Sequence, residues 1–344
     1  MYRLRVLPFA VAFLVVFAAA VPASGGAQEA TPVPPRQPAQ PTTGPGSSET
    51  RFGGMTTIEQ KPPDALVADY LLFVPSAPLP GTAQEGEPLP VVIFLHGSGA
   101  TNADAYLAWI EHLVWRGAVV LFPLYERPTA AGTLDYQQTV QDDVREGLER
   151  LEHDGVPVDL TRVAVVGHSL GAEQALVYAA SAATADLPVP TAVMSVAPGC
   201  FPMDSEGPCF QVGLGTIPTM TRLLLVSGED DPGTSGIAQI WAELASVPLE
   251  NRDVVIPVTD THGKPRLSAD HFQALAGHGA VSGYSSPDAF DWYGTWKWLD
   301  ALMGCSFDGE WCEYALGNTP EQRYMGAWSD GVPVAQPIVT DEPT

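Results

Sequence analysis

The chain has 344 residues, enough for one large α/β domain or two smaller ones, and its 45% hydrophobic content excludes global disorder. With 40 acidic residues against 16 basic ones, the formal charge is −24. Nucleic acid and anionic membrane surfaces are gripped through basic patches, so both are excluded as partners, and the acidic excess reads as solubility.

The first residues have the makings of an export signal. Arg3 and Arg5 supply positive charge, residues 6–21 form an apolar run, and residues 23–27 are the small side chains that suit a signal peptidase. The run is shorter than the roughly 20 residues needed to span a bilayer, and Pro8 interrupts it. Residues 1–27 are therefore expected to be a signal peptide cut after Ala27, with an uncleaved anchor as the alternative. The mature protein is expected to be extracytoplasmic, without a stable membrane anchor. Residues 28–50, rich in Pro, Gln, Thr, Gly and Ser, carry no hydrophobic period and predict a disordered linker. A folded domain over 51–327 and an acidic, proline-containing tail over 328–344 complete the expected organisation.

Within that domain, strand and helix alternate. Strands are expected over 67–74, 91–95, 118–123, 162–166, 192–196, 222–226 and 253–258, and helices over 106–115, 133–152, 171–181 and 290–303. The second helix shows its period in Tyr136, Val140, Val144, Leu148 and Leu151. Strands separated by helices predict an α/β fold: a single doubly wound, mostly parallel sheet flanked by helices. Four cysteines allow three pairings, and the local one, Cys200 with Cys209 and Cys305 with Cys312, closes the shortest loops. The stretch 200–221 leaves room for a disulfide-pinned loop but no large lid. Phe290, Trp292, Tyr293, Trp296 and Trp298 are expected to face the core rather than form a sugar platform.

Gly167-His168-Ser169-Leu170-Gly171 carries the chemistry. It follows the apolar run Val163-Ala164-Val165-Val166 and opens a helical stretch, the strand–turn–helix context of a nucleophile elbow. So sharp a turn needs neighbours without bulk two positions away, and Gly167 and Gly171 meet that demand. Such a turn lifts the Ser169 hydroxyl above the sheet and aims a helix N-terminus at a developing oxyanion.

On these residues, and in this order of elements, the chain resembles the α/β-hydrolase superfamily. Its compact layout is similar to the cutinase, polyester-hydrolase and dienelactone-hydrolase-like branches. By that resemblance, His96-Gly97-Ser98-Gly99 is the turn that supplies one oxyanion amide, and the residue after the nucleophile supplies the other. The implied donors are the backbone N–H groups of Ser98 and Leu170, with His96 structural. The acid of such a triad, three residues beyond Gly228, is Asp231, although Glu229 and Asp230 leave the register open by a position or two. Ala269-Asp270-His271-Phe272 resembles the small-x-His-Phe signature of cutinase-like polyester hydrolases and implies His271 as base. His262, nearer the strand over 253–258, is the alternative, and His278 is a more distant one.

The order 169, 231, 271 is that of the superfamily rather than of trypsin-like or subtilisin-like enzymes. The resemblance implies a secreted serine hydrolase, of the esterase, lipase or cutinase kind, that cleaves carboxylic esters through an acyl-enzyme on Ser169. It would work as a monomer on a small-molecule or polymeric ester, in a shallow, open site, with no cofactor and no metal. An acyltransferase or peptidase using the same triad, and an inactive hydrolase-fold binding module, are the competing readings.

Overall fold

The computed structural model describes residues 33–63, 68–82, 86–129, 131–199, 212–278 and 286–343. The chain divides into a short unit, Met1–Val33, of which only Val33 is described, and a large one, Pro34–Thr344. The expected signal peptide and the Cys200–Cys209 loop lie outside the described residues.

Runs of Val, Ile, Leu and Phe flanked by turns become strands because a backbone cut off from water must pair on both sides. Nine strands result among the described residues: β1 (Met55–Gln60), β2 (Tyr70–Pro75), β3 (Leu89–Leu95), β4 (Val119–Pro123), β5 (Val158–His168), β6 (Ala192–Val196), β7 (Arg222–Val226), β8 (Arg252–Ile256) and β9 (Ile338–Thr340). Across the sheet they run β1-β2-β4-β3-β5-β6-β7-β8-β9. From β4 to β8 the pairing is parallel, while β1, β2 and β9 join antiparallel at the edges. The seven expected strands lie in the sheet; β1 and β9 are additions. In β1 the exposed Thr56, Thr57 and Glu59 break the apolar pattern, and β9 is only three residues long.

The longer helices are α1 (Leu107–Trp115), α2 (Tyr136–His153), α3 (Leu170–Ser181), α4 (Ile237–Glu243) and α5 (Trp296–Phe307). Strand residues alternate between two cores. Val92, Phe94, Ala164 and Val166 pack with Trp109 of α1 and Trp298 and Leu302 of α5. Val91, Ile93, Val163 and Val165 pack with Val140 of α2, Leu176 of α3 and Ile240 of α4. A sheet covered on both faces is the doubly wound arrangement. Phe290, Trp296 and Trp298 are buried, so the aromatic cluster serves packing. Among the described residues no helix is long and apolar enough to cross a membrane.

Two expected boundaries need correction. The segment 34–50 is bound to the domain rather than a disordered linker. Lys264 N donates to Pro35 O at 2.8 Å, Trp292 Nε1 to Pro38 O at 3.2 Å and Gly46 N to the Asp300 carboxylate at 2.8 Å. Polar composition misleads here because these backbone groups find partners on the domain rather than in the segment itself. The stretch from 328 onward is likewise part of the fold, not a tail. Trp328 is buried, with its Nε1 donating to Asp260 at 2.9 Å, and β9 pairs with β8.

Candidate active site

The parallel strands end at one edge of the sheet, and three of those ends build the site. At the end of β5, Ser169 takes φ 55° and ψ −121° before α3 begins. Positive φ at a non-glycine residue costs on the order of 1–3 kcal/mol and persists only where surrounding structure enforces it. The enforcement is steric. A Cβ on Gly167 would lie 1.9 Å from the Gly171 carbonyl oxygen, and one on Gly171 would lie 2.1 Å from Leu95 O. The two glycines let β5, α3 and β3 touch backbone to backbone. Leu170 is then the first residue of α3, where a helix leaves its N–H groups without intrahelical partners.

Beyond β7 the acidic turn divides its labour. Glu229 accepts from Thr259 N at 2.6 Å and Asp230 from Thr259 Oγ1 at 2.6 Å, so both pin the segment after β8. Asp231 turns inward, its carboxylate oxygens each 3.1 Å from His271 Nδ1. Burial opposes its charge, but bonds from His271, the Gly233 N–H and Ser227 prevail and hold the carboxyl below the usual range. An ionised carboxylate only accepts, so Nδ1 of a neutral His271 carries the proton and Nε2 is left to accept. His271 Nε2 lies 2.9 Å from Ser169 Oγ.

The loop after β3 runs against the elbow. A Cβ on Gly97 would stand 3.0 Å from His168 Nδ1, 3.2 Å from the Tyr106 hydroxyl and 3.3 Å from Ser169 Cβ, a tight fit against the elbow. Glu126, beyond β4, holds the next two residues: it accepts from Ser98 Oγ at 2.8 Å and from Gly99 N at 2.5 Å. His96 is buried and stacked on Tyr125 at 4.4 Å between ring centroids, a packing role.

The structure thus gathers Ser169, Asp231 and His271, with the Ser98 loop and the start of α3 beside them. It does not bring in His262, whose Nε2 lies 2.8 Å from Asp330, or His278, paired with Glu111 at 2.8 Å. Sequence reasoning missed Glu126, Tyr106 and His168. Only His168, inside the elbow motif, had any local signal; the other two arrive through tertiary folding. Among the described residues no group of three or more His, Cys, Asp or Glu is arranged to hold a metal ion.

Strand order, elbow and two-faced helix cover are those of the α/β-hydrolase fold. Its sequence matches the chlorophyllase family over residues 67–204, which takes in the Gly97 loop and the Ser169 elbow but stops short of Asp231 and His271. No curated protein matches the chain. Among solved structures it is similar to esterase B from Lactobacillus rhamnosis, inhibited by a tributyrin phosphonate. The identity is 14% and the TM-score 0.41, over 61% of this chain and 76% of that one.

Proposed function

We propose that the chain is a carboxylic-ester hydrolase that works through an acyl-enzyme on Ser169. One observation carries the reading: an unbroken hydrogen-bonded path from Ser169 Oγ through both ring nitrogens of His271 to Asp231, at 2.9 and 3.1 Å. The match to the chlorophyllase family supports the same class of reaction.

In the first half, His271 Nε2 takes the Ser169 proton as Oγ bonds to the ester carbonyl carbon. The carbonyl π electrons move onto oxygen, where the Ser98 and Leu170 amides stabilise the charge, each donor of this kind contributing roughly 3 kcal/mol. The tetrahedral intermediate collapses, the C–O bond to the alcohol breaks, and imidazolium returns its proton to the departing oxygen. Water, deprotonated by the same nitrogen, then attacks the acyl carbon; the bond to Oγ breaks as imidazolium returns the proton to Ser169, and the acid leaves. Asp231 keeps the Nδ1–H tautomer and balances the imidazolium charge without taking its proton.

Export belongs to this reading. The Cys305–Cys312 bridge suits an oxidising compartment, as does the apolar, arginine-flanked N-terminus.

A fluorophosphonate probe and a series of 4-nitrophenyl esters of rising chain length test the proposal. The parent chain is expected to label and to hydrolyse. Ser169→Ala should neither label nor turn over, with kcat down at least about 10⁴-fold, and His271→Ala should fall comparably. His262→Ala should keep the parent's rate. An unlabelled parent chain, or an active His271→Ala beside a dead His262→Ala, refutes the assignment.

A further inference from the structure

His168, the residue before the nucleophile, is fully buried, yet it is not a mere filler. Its Nε2 lies 2.7 Å from the carbonyl oxygen of His271. A carbonyl can only accept, so Nε2 carries the proton. Nδ1 of the neutral ring must then accept, and the hydroxyl of Tyr106 stands 2.9 Å away to donate. The same tyrosine oxygen accepts from Gly97 N at 2.9 Å. A single directed path results: Gly97 N–H to Tyr106, Tyr106 O–H to His168, His168 Nε2–H to the His271 carbonyl.

Three residues on this path adjoin or form the three parts of the site. Gly97 precedes Ser98, His168 precedes Ser169, and His271 is the base itself. His271 lies in neither helix nor strand. Its loop is held upstream where Asp230 N donates to Ala269 O at 3.0 Å and Ala269 N to Thr259 Oγ1 at 2.9 Å. Asp231 fixes the direction of the ring; the bond to His168 fixes the backbone that carries it. We propose that His168 and Tyr106 are positioning residues, which set the mutual spacing of the oxyanion loop, the nucleophile and the base through one buried imidazole. The proposal rests on the ester-hydrolase reading above.

A leucine or phenylalanine would fill the same volume without the cost of desolvating a polar ring. The demand that an apolar residue cannot meet is to donate at one end and accept at the other. Phenylalanine at 168 keeps a flat ring and removes both bonds. Phenylalanine at 106 keeps its ring and removes the hydroxyl that joins Gly97 to His168. Displacements approaching 1 Å in a reacting pair cost rate by up to about two orders of magnitude. A role in packing alone would instead lower the melting temperature and leave turnover per folded molecule intact.

The deciding experiment measures kcat, KM and the rate of fluorophosphonate labelling on 4-nitrophenyl butyrate. It compares the parent chain, His168→Phe, Tyr106→Phe and the double variant, each at a temperature where circular dichroism shows it folded. His168→Phe should lower kcat and the labelling rate in parallel by about 30-fold while KM stays near the parent value, and Tyr106→Phe should lower them about 5-fold. The double variant should be no slower than His168→Phe, because both changes cut one path. In the parent chain, nitrogen-15 NMR should find His168 protonated at Nε2 and bare at Nδ1, a readout that needs no variant to fold. Folded variants with undiminished kcat, losses that multiply in the double variant, or a proton on Nδ1 would each overturn the proposal. If His168→Phe does not fold, Tyr106→Phe and the tautomer decide. A parent chain that neither labels nor hydrolyses sinks the ester-hydrolase reading and this one with it. An active parent chain with unaffected variants sinks this one alone.

Discussion

The elbow and the segment bound along residues 34–50 both depend on glycines through which two backbones touch, yet only the elbow announces itself in the sequence. In the elbow, Gly167 meets Gly171 four residues away, so both partners of the contact fall within one short motif. In the segment, Gly46 stands where a Cβ would lie 2.0 Å from Trp292 O. Those partners are more than 240 positions apart in the chain. The steric requirement is the same; the distance along the chain decides whether a reader can see it. The elbow's strain serves the site, whereas the segment's contacts, such as Gly46 N to the buried Asp300, involve none of Ser169, Asp231 and His271. Variants that separate stability from turnover test that distinction.

The largest effect is expected at the elbow. Gly171→Ala drives a methyl group to 2.1 Å from Leu95 O, between two strands and a helix that are all buried. No flexible side chain can give way. A loss of more than about 4 kcal/mol, and with it most of the soluble folded protein, is expected in urea titration. A variant of parental stability would mean that the close approach of α3 to β3 is not what holds Ser169 in its conformation.

Gly46→Ala comes next. It meets backbone at a comparable distance and at φ 74°, but in a segment outside the sheet and its covering helices, joined to them by a few hydrogen bonds. The expected cost is roughly 2–3 kcal/mol, with kcat on a 4-nitrophenyl ester unchanged when measured on folded protein. A fall in kcat instead would make the segment part of the site. Gln37 offers a route for such an effect, since its amide donates to Pro265 O at 3.1 Å, a few residues before His271.

These contrasts explain what could be read from the sequence. Continuous apolar runs such as 222–226 need burial on both faces, so the central parallel strands were legible from residue type alone. Ser169 was legible because its glycines are local, and Asp231 because a buried strand ends just before it. His271 could be separated from His262 only by resemblance, since both follow β8 and nothing local tells which ring reaches Ser169. Glu126 and Tyr106 left no mark, because a carboxylate in a loop and a tyrosine beside a helix are ordinary until folding sets them within 3 Å of the Gly97–Gly99 turn. The termini were misjudged for a related reason. Composition measures what a segment can bury by itself, and residues 34–50 bury almost nothing until Trp292, Asp300 and Lys264 are in place.

A smaller effect separates the same regions by pH. Burial pushes the His168 imidazole down from 6.5 to about 4. Between those values the unfolded chain takes up a proton that the folded chain refuses, so stability falls as pH drops from 6.5 towards 4. By pH 5 this one group is expected to have cost the fold about 2 kcal/mol relative to pH 7. His168→Phe should flatten that part of the acid limb by the same amount, whereas Gly46→Ala should shift the whole curve without changing its shape. Urea midpoints at pH 7, 6 and 5 provide the measurement, and parallel curves for parent and His168→Phe would show that the ring takes up its proton as readily in the fold as in the unfolded chain.

The smallest loss of stability is expected at the far end of the chain, and there association should be more visible than unfolding. Removing residues 337–344 takes away the pairing of Ile338, Val339 and Thr340 with Ile256, Val255 and Val254. It also exposes ground covered by the buried Val339, and it frees the Asn318 amide that donates to Val339 O. One small apolar side chain and a few edge bonds amount to about 1–2 kcal/mol. The exposed strand is the larger consequence. Without its neighbour, β8 offers unpaired N–H and C=O groups along a run containing Val254, Val255 and Ile256, a template on which another chain can add a strand. The truncated protein should therefore keep its turnover at nanomolar concentration and self-associate as concentration rises, as light scattering would record. If it stays monodisperse, the charges of Arg252 and Asp253 suffice to guard the edge, and β9 contributes stability alone.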